Sequence, residues 1–313
     1  MVVETGADRH DPVLLREVVE LAVPARSDGI LVDATVGLGG HSEALLARWP
    51  EARLIGIDRD PRALERARER LSDRGDRVRL VEGRHEALID ILEGEEIEQV
   101  DLVLADLGVS SLQLDEAERG FSFRTEGPLD MRMGAAGPTA AELVNGLEER
   151  DLARLLREWG EEPKAGPIAR AIGRAREEAP IETTTRLAEI VRSVKRGRRD
   201  RIDPATLTFQ ALRIATNEEL VGLAGFVEAA VGRLVPKGRI AIISFHSLED
   251  RIVKRTFRRL EGECICPPGM PVCGCGAERL LRGVTRRPVE AGEEETERNP
   301  RSRSAKLRVA ERV

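Results

Sequence analysis

Between residues 30 and 106 the chain repeats one pattern: a short apolar run, then a helical segment with one polar face. The apolar runs are 30–34, 53–57, 78–81 and 100–105. They read as buried strands, short and rich in Val, Ile and Leu. Residues 41–49, 61–71 and 85–92 carry helical spacing, and Pro61 stands at a first-turn position that tolerates proline. Strands that alternate with helices in this way build a parallel sheet with helices on both faces. The predicted fold class is therefore α/β, with a Rossmann-like sheet.

The alternation then stops. Residues 110–133 are Gly-rich and polar and predict a long ordered loop, a feature usually tied to function. From 139 to about 215 the pattern is helical, with candidate helices at 140–145, 149–159, 165–177 and 184–196. A helix at 218–234, a strand at 238–245, a helix at 249–259 and a terminal strand at 305–310 follow, so the sheet resumes. This predicts a sheet domain of residues 1–138 and 208–313, interrupted by an inserted helical domain of residues 139–207 that serves substrate recognition.

No apolar run is long enough to span a bilayer, and the charged first residues lack a secretory apolar core. The expectation is a cytoplasmic protein with no membrane partner. A net charge of −6 does not advertise a nucleic-acid binder. Three local basic runs do: Arg192, Lys195, Arg196, Arg198, Arg199 and Arg201; Arg251, Lys254, Arg255, Arg258 and Arg259; and Arg298, Arg301, Arg303, Lys306 and Arg308. A single run is usually a solvated face; three make an anionic polymer a reasonable partner.

The most informative local pattern is Asp33-Ala-Thr-Val-Gly37-Leu-Gly39-Gly40-His41, at a strand-to-helix turn. Glycines allow a tight turn and close backbone approach to a ligand, and the helix that follows offers free N–H groups to an anion. Asp58 closes the next strand, where nucleotide-binding α/β folds place an acid for ribose hydroxyls. Ser42 stands where the dinucleotide pattern needs its third glycine. That favours S-adenosylmethionine, which has no pyrophosphate, over NAD. Asp106, ending the fourth strand, would face the sulfonium side.

These residues are joined by longer motifs. They are His10-x-Pro-Val-Leu-Leu15, Gly56-Ile-Asp-Arg-Asp-Pro61, Asp106-Leu-Gly-Val-Ser-Ser111 and Gln113-Leu-Asp115. Arg119-Gly-Phe-Ser-Phe123, Pro128-Leu-Asp-Met-Arg-Met133, Gly160-Glu-Glu162 and Phe209-Gln-Ala-Leu-Arg213 follow. Ile243-Ser-Phe-His-Ser-Leu-Glu-Asp-Arg251 and Asn299-Pro-Arg-Ser-Arg-Ser304 complete the set. In this order, nearly end to end, the chain resembles the ribosomal RNA small subunit methyltransferase H family. The resemblance implies a class I S-adenosylmethionine methyltransferase sheet with a helical insertion. It also implies N4-methylation of one cytidine, number 1402, in the decoding region of 16S rRNA. The implied partner is 16S rRNA or the small ribosomal subunit, not DNA; the oligomeric state stays open, a homodimer included. By the same resemblance Gly39, Gly40, His41, Asp58, His85, Asp106 and Gln113 contact the cofactor. A phenylalanine is common in the family at position 85, and a histidine at position 203, where this chain has His85 and Asp203.

Methyl transfer to an exocyclic amine needs an acceptor that can take a proton from a weakly nucleophilic nitrogen. Asp106, Asp130 and His246 are the candidates. A hydrolase triad of His246, Ser247 and Glu249 is rejected, because the adjacent His246 and Ser247 side chains point apart and no G-x-S-x-G elbow is present. Arg119, Phe123, Arg132, Arg213 and Arg251 are the candidates for RNA contact, through phosphate and base stacking. Cys264, Cys266, Cys273 and Cys275 form two C-x-C pairs, which suit a structural zinc ion; four free thiols are the alternative. A ribosome-binding factor without catalysis, or a methyltransferase of another RNA or of a protein, are the competing functions.

Overall fold

The apolar runs of the first hundred residues all become strands. The computed structural model describes residues 12–134, 136–195, 203–264, 266 and 277–313, with only the backbone of Ser111 and Leu112. The chain divides into one unit of Met1–Gly108 with Gly222–Val313, and another of Val109–Val221. The second unit is wider at both ends than the helical insertion of residues 139–207 expected from the sequence.

The first unit opens with α1 (Leu15–Leu21), then β1 (Ile30–Asp33), α2 (Gly40–Arg48), β2 (Arg53–Asp58), α3 (Pro61–Arg70), β3 (Val78–Glu82), α4 (Leu88–Gly94) and β4 (Val100–Asp106). In the second unit are α5 (Ser111–Asp115), α6 (Ala140–Gly146), α7 (Glu149–Gly160), α8 (Ala165–Glu178), α9 (Thr184–Val194) and α10 (Thr206–Asn217). The first unit resumes with α11 (Leu223–Arg233), β5 (Leu234–Ser244), α12 (Ser247–Leu260), β6 (Leu281–Gly283), α13 (Glu293–Arg298) and β7 (Lys306–Arg312). No described helix is long and apolar enough to cross a membrane.

The sheet order is β3-β2-β1-β4-β5-β7-β6. The first five strands are parallel, and β7 is antiparallel to both β5 and β6. Successive strand residues serve opposite faces, so the continuous apolar runs are two alternating sets. Val32, Ile55, Val103 and Ile242 pack with Leu88, Phe226, Val231 and Phe257 of α4, α11 and α12. Leu31, Leu54, Leu102 and Ala241 pack with Val18, Leu45 and Leu46 of α1 and α2. Burial on both faces removes the polar alternation that a half-exposed strand would show.

Strand β5 begins earlier than its sequence predicts. Pro236-Lys237-Gly238 reads as a turn, but the structure absorbs it as an irregularity within the strand. Lys237 takes φ 68°, and the pairing register with β4 shifts between Val100 and Leu102. Helix α11 starts later than the predicted 218, because Gly222 at φ 79° caps it. The acidic 293–297 stretch is helix α13, and Leu14 N–H donates to its Glu295 Oε1 at 2.8 Å.

The second unit is a helical bundle. Leu152 and Leu156 of α7, Ile168 and Ile172 of α8, Leu187 and Val191 of α9 and Leu212 of α10 share one core with Phe121, Leu129, Met131 and Met133. The segment expected as an ordered loop holds α5 and a 3-10 turn at Ala117–Arg119, then an extended stretch sewn to the bundle. Leu129 N–H donates to Glu182 O at 2.8 Å. Asn217 accepts Met133 N–H at 2.8 Å and donates to Met131 O at 2.7 Å. A Cβ at Gly120, which sits at φ 71°, would run into the Pro128 carbonyl oxygen, and one at Gly127 into that of Ala117. Only glycine fits either position.

Candidate functional site

In an open parallel sheet, ligands bind beyond the carboxyl ends of the strands, where the strand order reverses. Here the reversal falls between β1 and β4, and those two strands end on Asp33 and Asp106. The neighbouring β2 ends on Asp58. Three carboxylates thus gather at one edge for a topological reason.

The turn after β1 fastens them. Gly37 at φ 50° directs its N–H to Asp58 Oδ2 at 2.8 Å, and Asp60 N–H binds the other oxygen, Oδ1, at 2.9 Å. Thr35 Oγ1 accepts the Asp106 N–H at 2.6 Å. Ser42 Oγ donates to Asp33 Oδ2 at 2.6 Å, and Thr35 N–H to Asp33 Oδ1 at 3.3 Å. The serine that breaks the dinucleotide pattern is therefore the partner of a buried acid. Gly39 at φ 78° caps α2, and Gly40 is its first residue. A Cβ on Gly40 would collide with Pro12 Cγ.

Burial raises all three acids. Asp33, 2% exposed, is pushed up to about 6, chiefly by desolvation, against the hydrogen bonds from Ser42 and Thr35. Asp58 is raised, again first by desolvation, against the two backbone bonds to its carboxylate. Asp106 is pushed well above the carboxylate range, by burial and then by the charges of Asp33 and Glu249. A quarter of the Asp106 side-chain surface is still accessible, yet its Oδ1 is buried with no hydrogen-bond partner among the described residues.

Of two further histidines in the sheet unit, His41 is buried and His85 is half-buried. His41 Nε2 bonds to Val13 O at 2.8 Å, and its Nδ1 lies 3.7 Å from Asp106 Oδ2. Burial lowers this imidazole to about 4. His85 stands in a 3-10 turn before α4, its ring edge-on to Phe226 with centroids 4.8 Å apart. Burial lowers it too, and its buried Nε2 has no hydrogen-bond partner among the described residues.

His246 has a structural task. It caps α12: Nδ1 accepts the Glu249 N–H at 3.4 Å while Glu249 Oε2 accepts the N–H of His246 at 3.3 Å. Its Nε2 lies 3.1 Å from Glu249 Oε1, an ion-pair distance if the ring is protonated. Glu249, 1% exposed, also accepts the Phe245 N–H at 2.8 Å.

The other candidates, Arg251 excepted, lie in the helical unit. Gln113 is buried, and its Oε1 accepts the Ser110 N–H at 3.0 Å. Asp130 grips Arg132 with both oxygens at 2.8 Å; burial raises this acid, but the bonds from Arg132 outweigh it and leave it below its ordinary range. A carboxylate so held is a weak base. Arg119 braces the backbone, donating to Arg132 O and Met133 O at 3.2 and 2.9 Å. Arg213 pairs with Glu219 through two bonds of 2.9 and 2.8 Å. Phe123 packs edge-on to Phe209 at 4.8 Å with Arg192 above it. Arg251, on α12 in the sheet unit, is exposed.

Much of the basic character is spent internally. Arg192 pairs with Asp203 at 2.8 Å, Lys195 with Glu162 at 3.0 Å, Arg308 with Asp250 at 2.7 Å, Arg258 with Glu263 at 3.2 Å, and Arg259 with Glu228. Asp203 also accepts the Ala205 N–H at 2.8 Å, steadying the turn into α10. His10, Arg196, Arg198, Arg199, Arg201, Cys273 and Cys275 lie outside the described residues. Of the four-cysteine cluster only Cys264 and Cys266 are described.

Sequence reasoning missed Asp33, Thr35, Ser42 and Glu249 as parts of this site. Asp33 had a readable signal, since it ends a strand beside the glycine turn. Glu249 had only its three-residue spacing from His246, which marks a capping box.

Residues 7–313 match the MraW methylase family. Three relatives bear the name ribosomal RNA small subunit methyltransferase H. The one from Anaeromyxobacter dehalogenans is 52% identical over 308 residues, covering 97% of this chain and 98% of its own. That from Solidesulfovibrio magneticus is 52% identical over 314 residues, 98% and 97% of the two chains. That from Geobacter sulfurreducens is 52% identical over 308 residues, 97% and 99%. With a match running through both units of the structure, the chain belongs to the MraW methylase family.

Proposed function

We propose that this protein transfers a methyl group from S-adenosylmethionine to N4 of a specific cytidine in 16S ribosomal RNA. The observation that carries the cofactor assignment is the set of acids at the ends of β1, β2 and β4, all raised by desolvation, with a buried oxygen of Asp106 that no described residue bonds. Family membership supports methyl transfer, and the name that the relatives bear supports small-subunit ribosomal RNA as the substrate.

The residues fit the cofactor. Each oxygen of Asp58 already accepts one backbone N–H, which fixes its orientation and leaves a lone pair on each for two ribose hydroxyls. The α2 N-terminus offers the N–H groups of Gly40 and His41 and a partial positive charge to a carboxylate, while Gly39, whose own N–H donates to Val36 O at 2.8 Å, shapes the turn beside it. His85 presents an imidazole for the adenine, in the place where the family commonly has phenylalanine. When bound, S-adenosylmethionine supplies a methyl group on a positively charged sulfur. Asp106 is the acid suited to that charge and to the amine proton, which makes it the preferred base over Asp130 and His246, both engaged elsewhere. Gln113 is assigned to the cofactor by family resemblance.

The helical unit is assigned to RNA recognition. Arg119, Phe123, Arg132 and Arg213 are its proposed contacts, with Arg251 of the sheet unit as a further one, and Arg132 and Arg213 would exchange their carboxylate partners for phosphate. A cytoplasmic location goes with this substrate. A zinc ion at Cys264, Cys266, Cys273 and Cys275 is proposed on spacing alone; metal analysis of the purified protein should return one zinc per chain, lost in Cys264→Ser.

The test is labelled S-adenosylmethionine with small subunits that lack the modification, followed by mapping of the label by mass spectrometry. Label on cytosine N4 of 16S rRNA, lost in Asp58→Ala, is expected. Cofactor binding without label on this RNA would move the assignment to another RNA, to a protein substrate or to a ribosome-binding factor. A folded protein that neither binds nor transfers would overturn it.

A further inference from the structure

His41 and Asp106 form a buried pair whose proton count is set by what surrounds it. Val13 O can only accept, so His41 Nε2, 2.8 Å away, carries a hydrogen. At 6% exposure, and with the field of Arg70 resisting it, the ring does not take a second proton. Nδ1 is therefore a bare lone pair, 3.7 Å from Asp106 Oδ2. Two acceptors that face one another at this distance repel, whether or not the Asp106 oxygen is reached by water. A proton on Asp106 turns that repulsion into an O–H···N contact, slightly longer than a hydrogen bond in this geometry. The charged groups that act on Asp106 from neighbouring elements are Asp33 on β1 and Glu249 on α12, both acidic. Strand β5 sets the apolar Ile243 opposite it in register. None of these is a cation that would hold Asp106 ionised.

We infer that Asp106 is a neutral carboxylic acid in the free enzyme, turned toward His41, and gives up its proton when a sulfonium ligand enters. Asp106 then discriminates the charged methyl donor from its neutral thioether product, and His41 is its positioning residue. The inference rests on the cofactor assignment above. The balance closes over a turnover. Binding the sulfonium expels one proton to solvent and leaves an ion pair. In the transfer the N–C bond forms, the C–S bond breaks with its electron pair staying on sulfur, and the amine proton passes to the carboxylate. The product complex is then a neutral thioether beside a neutral acid. The product has lost its counter-charge and so its hold on the site.

Isothermal titration calorimetry of the full chain in buffers of different ionisation heat reads proton release directly. Measurements are kept between about pH 5.5 and about 7, where the amino groups of both ligands are protonated. S-adenosylmethionine should release close to one proton, and S-adenosylhomocysteine close to none. The ratio of their affinities should rise by up to tenfold per pH unit until Asp106 is ionised in the free enzyme. In Asp106→Asn the release should vanish and the ratio become flat. Should that variant fail to fold, a carbon-13 titration of the carboxyl groups of the intact protein serves in its place. It should show a protonated buried aspartate that ionises on adding S-adenosylmethionine. Tight binding without proton release, or equal release with both ligands, overturns the inference and leaves the cofactor assignment standing. Binding of neither ligand overturns both.

Discussion

Replacing Asp33 by asparagine should make the protein more stable at alkaline pH and not at acid pH. The carboxyl is raised from an ordinary 3.8 to about 6, with desolvation as the main cause. A raised acid binds its proton more tightly in the folded state, so its stabilising share is full below the unfolded pKa and is lost as pH rises through the folded one. At about 1.4 kcal/mol per pKa unit, ionised Asp33 costs the fold roughly 3 kcal/mol above pH ~7. Of this, about 2 kcal/mol develops between pH ~4.5 and pH ~8. Asparagine keeps the shape but forgoes the charge-assisted bond from Ser42 Oγ at 2.6 Å, a loss of about 1 kcal/mol at every pH where Asp33 is ionised. The net expectation at pH ~8 is a gain of roughly 1–2 kcal/mol, shrinking toward zero or below at pH ~4.5. Removing this charge also eases the ionisation of Asp106, which acts in the same direction. Urea unfolding of both proteins at the two pH values gives the difference. A variant that is less stable at pH ~8, or whose advantage does not change with pH, would refute the claim that desolvation governs this acid.

Other consequences of the structure are open to simpler tests. Glu162, 1% exposed, binds Lys195 Nζ at 3.0 Å and the Lys164 N–H at 3.1 Å, so Glu162→Ala should cost about 3 kcal/mol in urea unfolding by stranding a half-buried lysine. Adding Lys195→Met should recover part of that loss. At Gly160 a Cβ would lie 2.5 Å from Leu207 O and 3.0 Å from Ala211 Cβ, so Gly160→Ala should lose about 2 kcal/mol. Gly146 has nothing within 4 Å of such a Cβ, and Gly146→Ala should be neutral or gain up to about 1 kcal/mol in the same assay. His246→Ser keeps a capping oxygen for α12, so its melting temperature and its methyl transfer should stay close to those of the parent. A transfer rate reduced a hundredfold or more in a stable His246→Ser protein would instead make His246 the base.

The chain's own order of residues determined the sheet and the first half of the site. Continuous apolar runs such as residues 102–105 are legible because burial on both faces leaves little room for polar residues. Gly37, Gly39 and Asp58 are legible because a tight turn and an acid at a strand end are local features. Element ends were less so. The sequence reads Pro236-Lys237-Gly238 as a break, but pairing with β4 holds Leu234 in the same strand across it. Local propensity cannot see a partner strand that lies far away in the chain.

Tertiary structure alone decided the charge and the employment of the polar groups. Ser42 reads in sequence as a missing glycine, and only the fold shows it donating to Asp33. His246 reads as a basic catalyst, and the fold sets its Nδ1 to capping α12. Asp130 and Arg132 read as two separate functional groups, and the fold makes them one ion pair. Asp106 carries no mark in the sequence that separates it from any aspartate ending a strand. Its raised pKa comes from the loss of water around it and from acids on β1 and α12. Desolvation and charge coupling depend on distances between residues remote in the chain, so they exist only once the chain has folded.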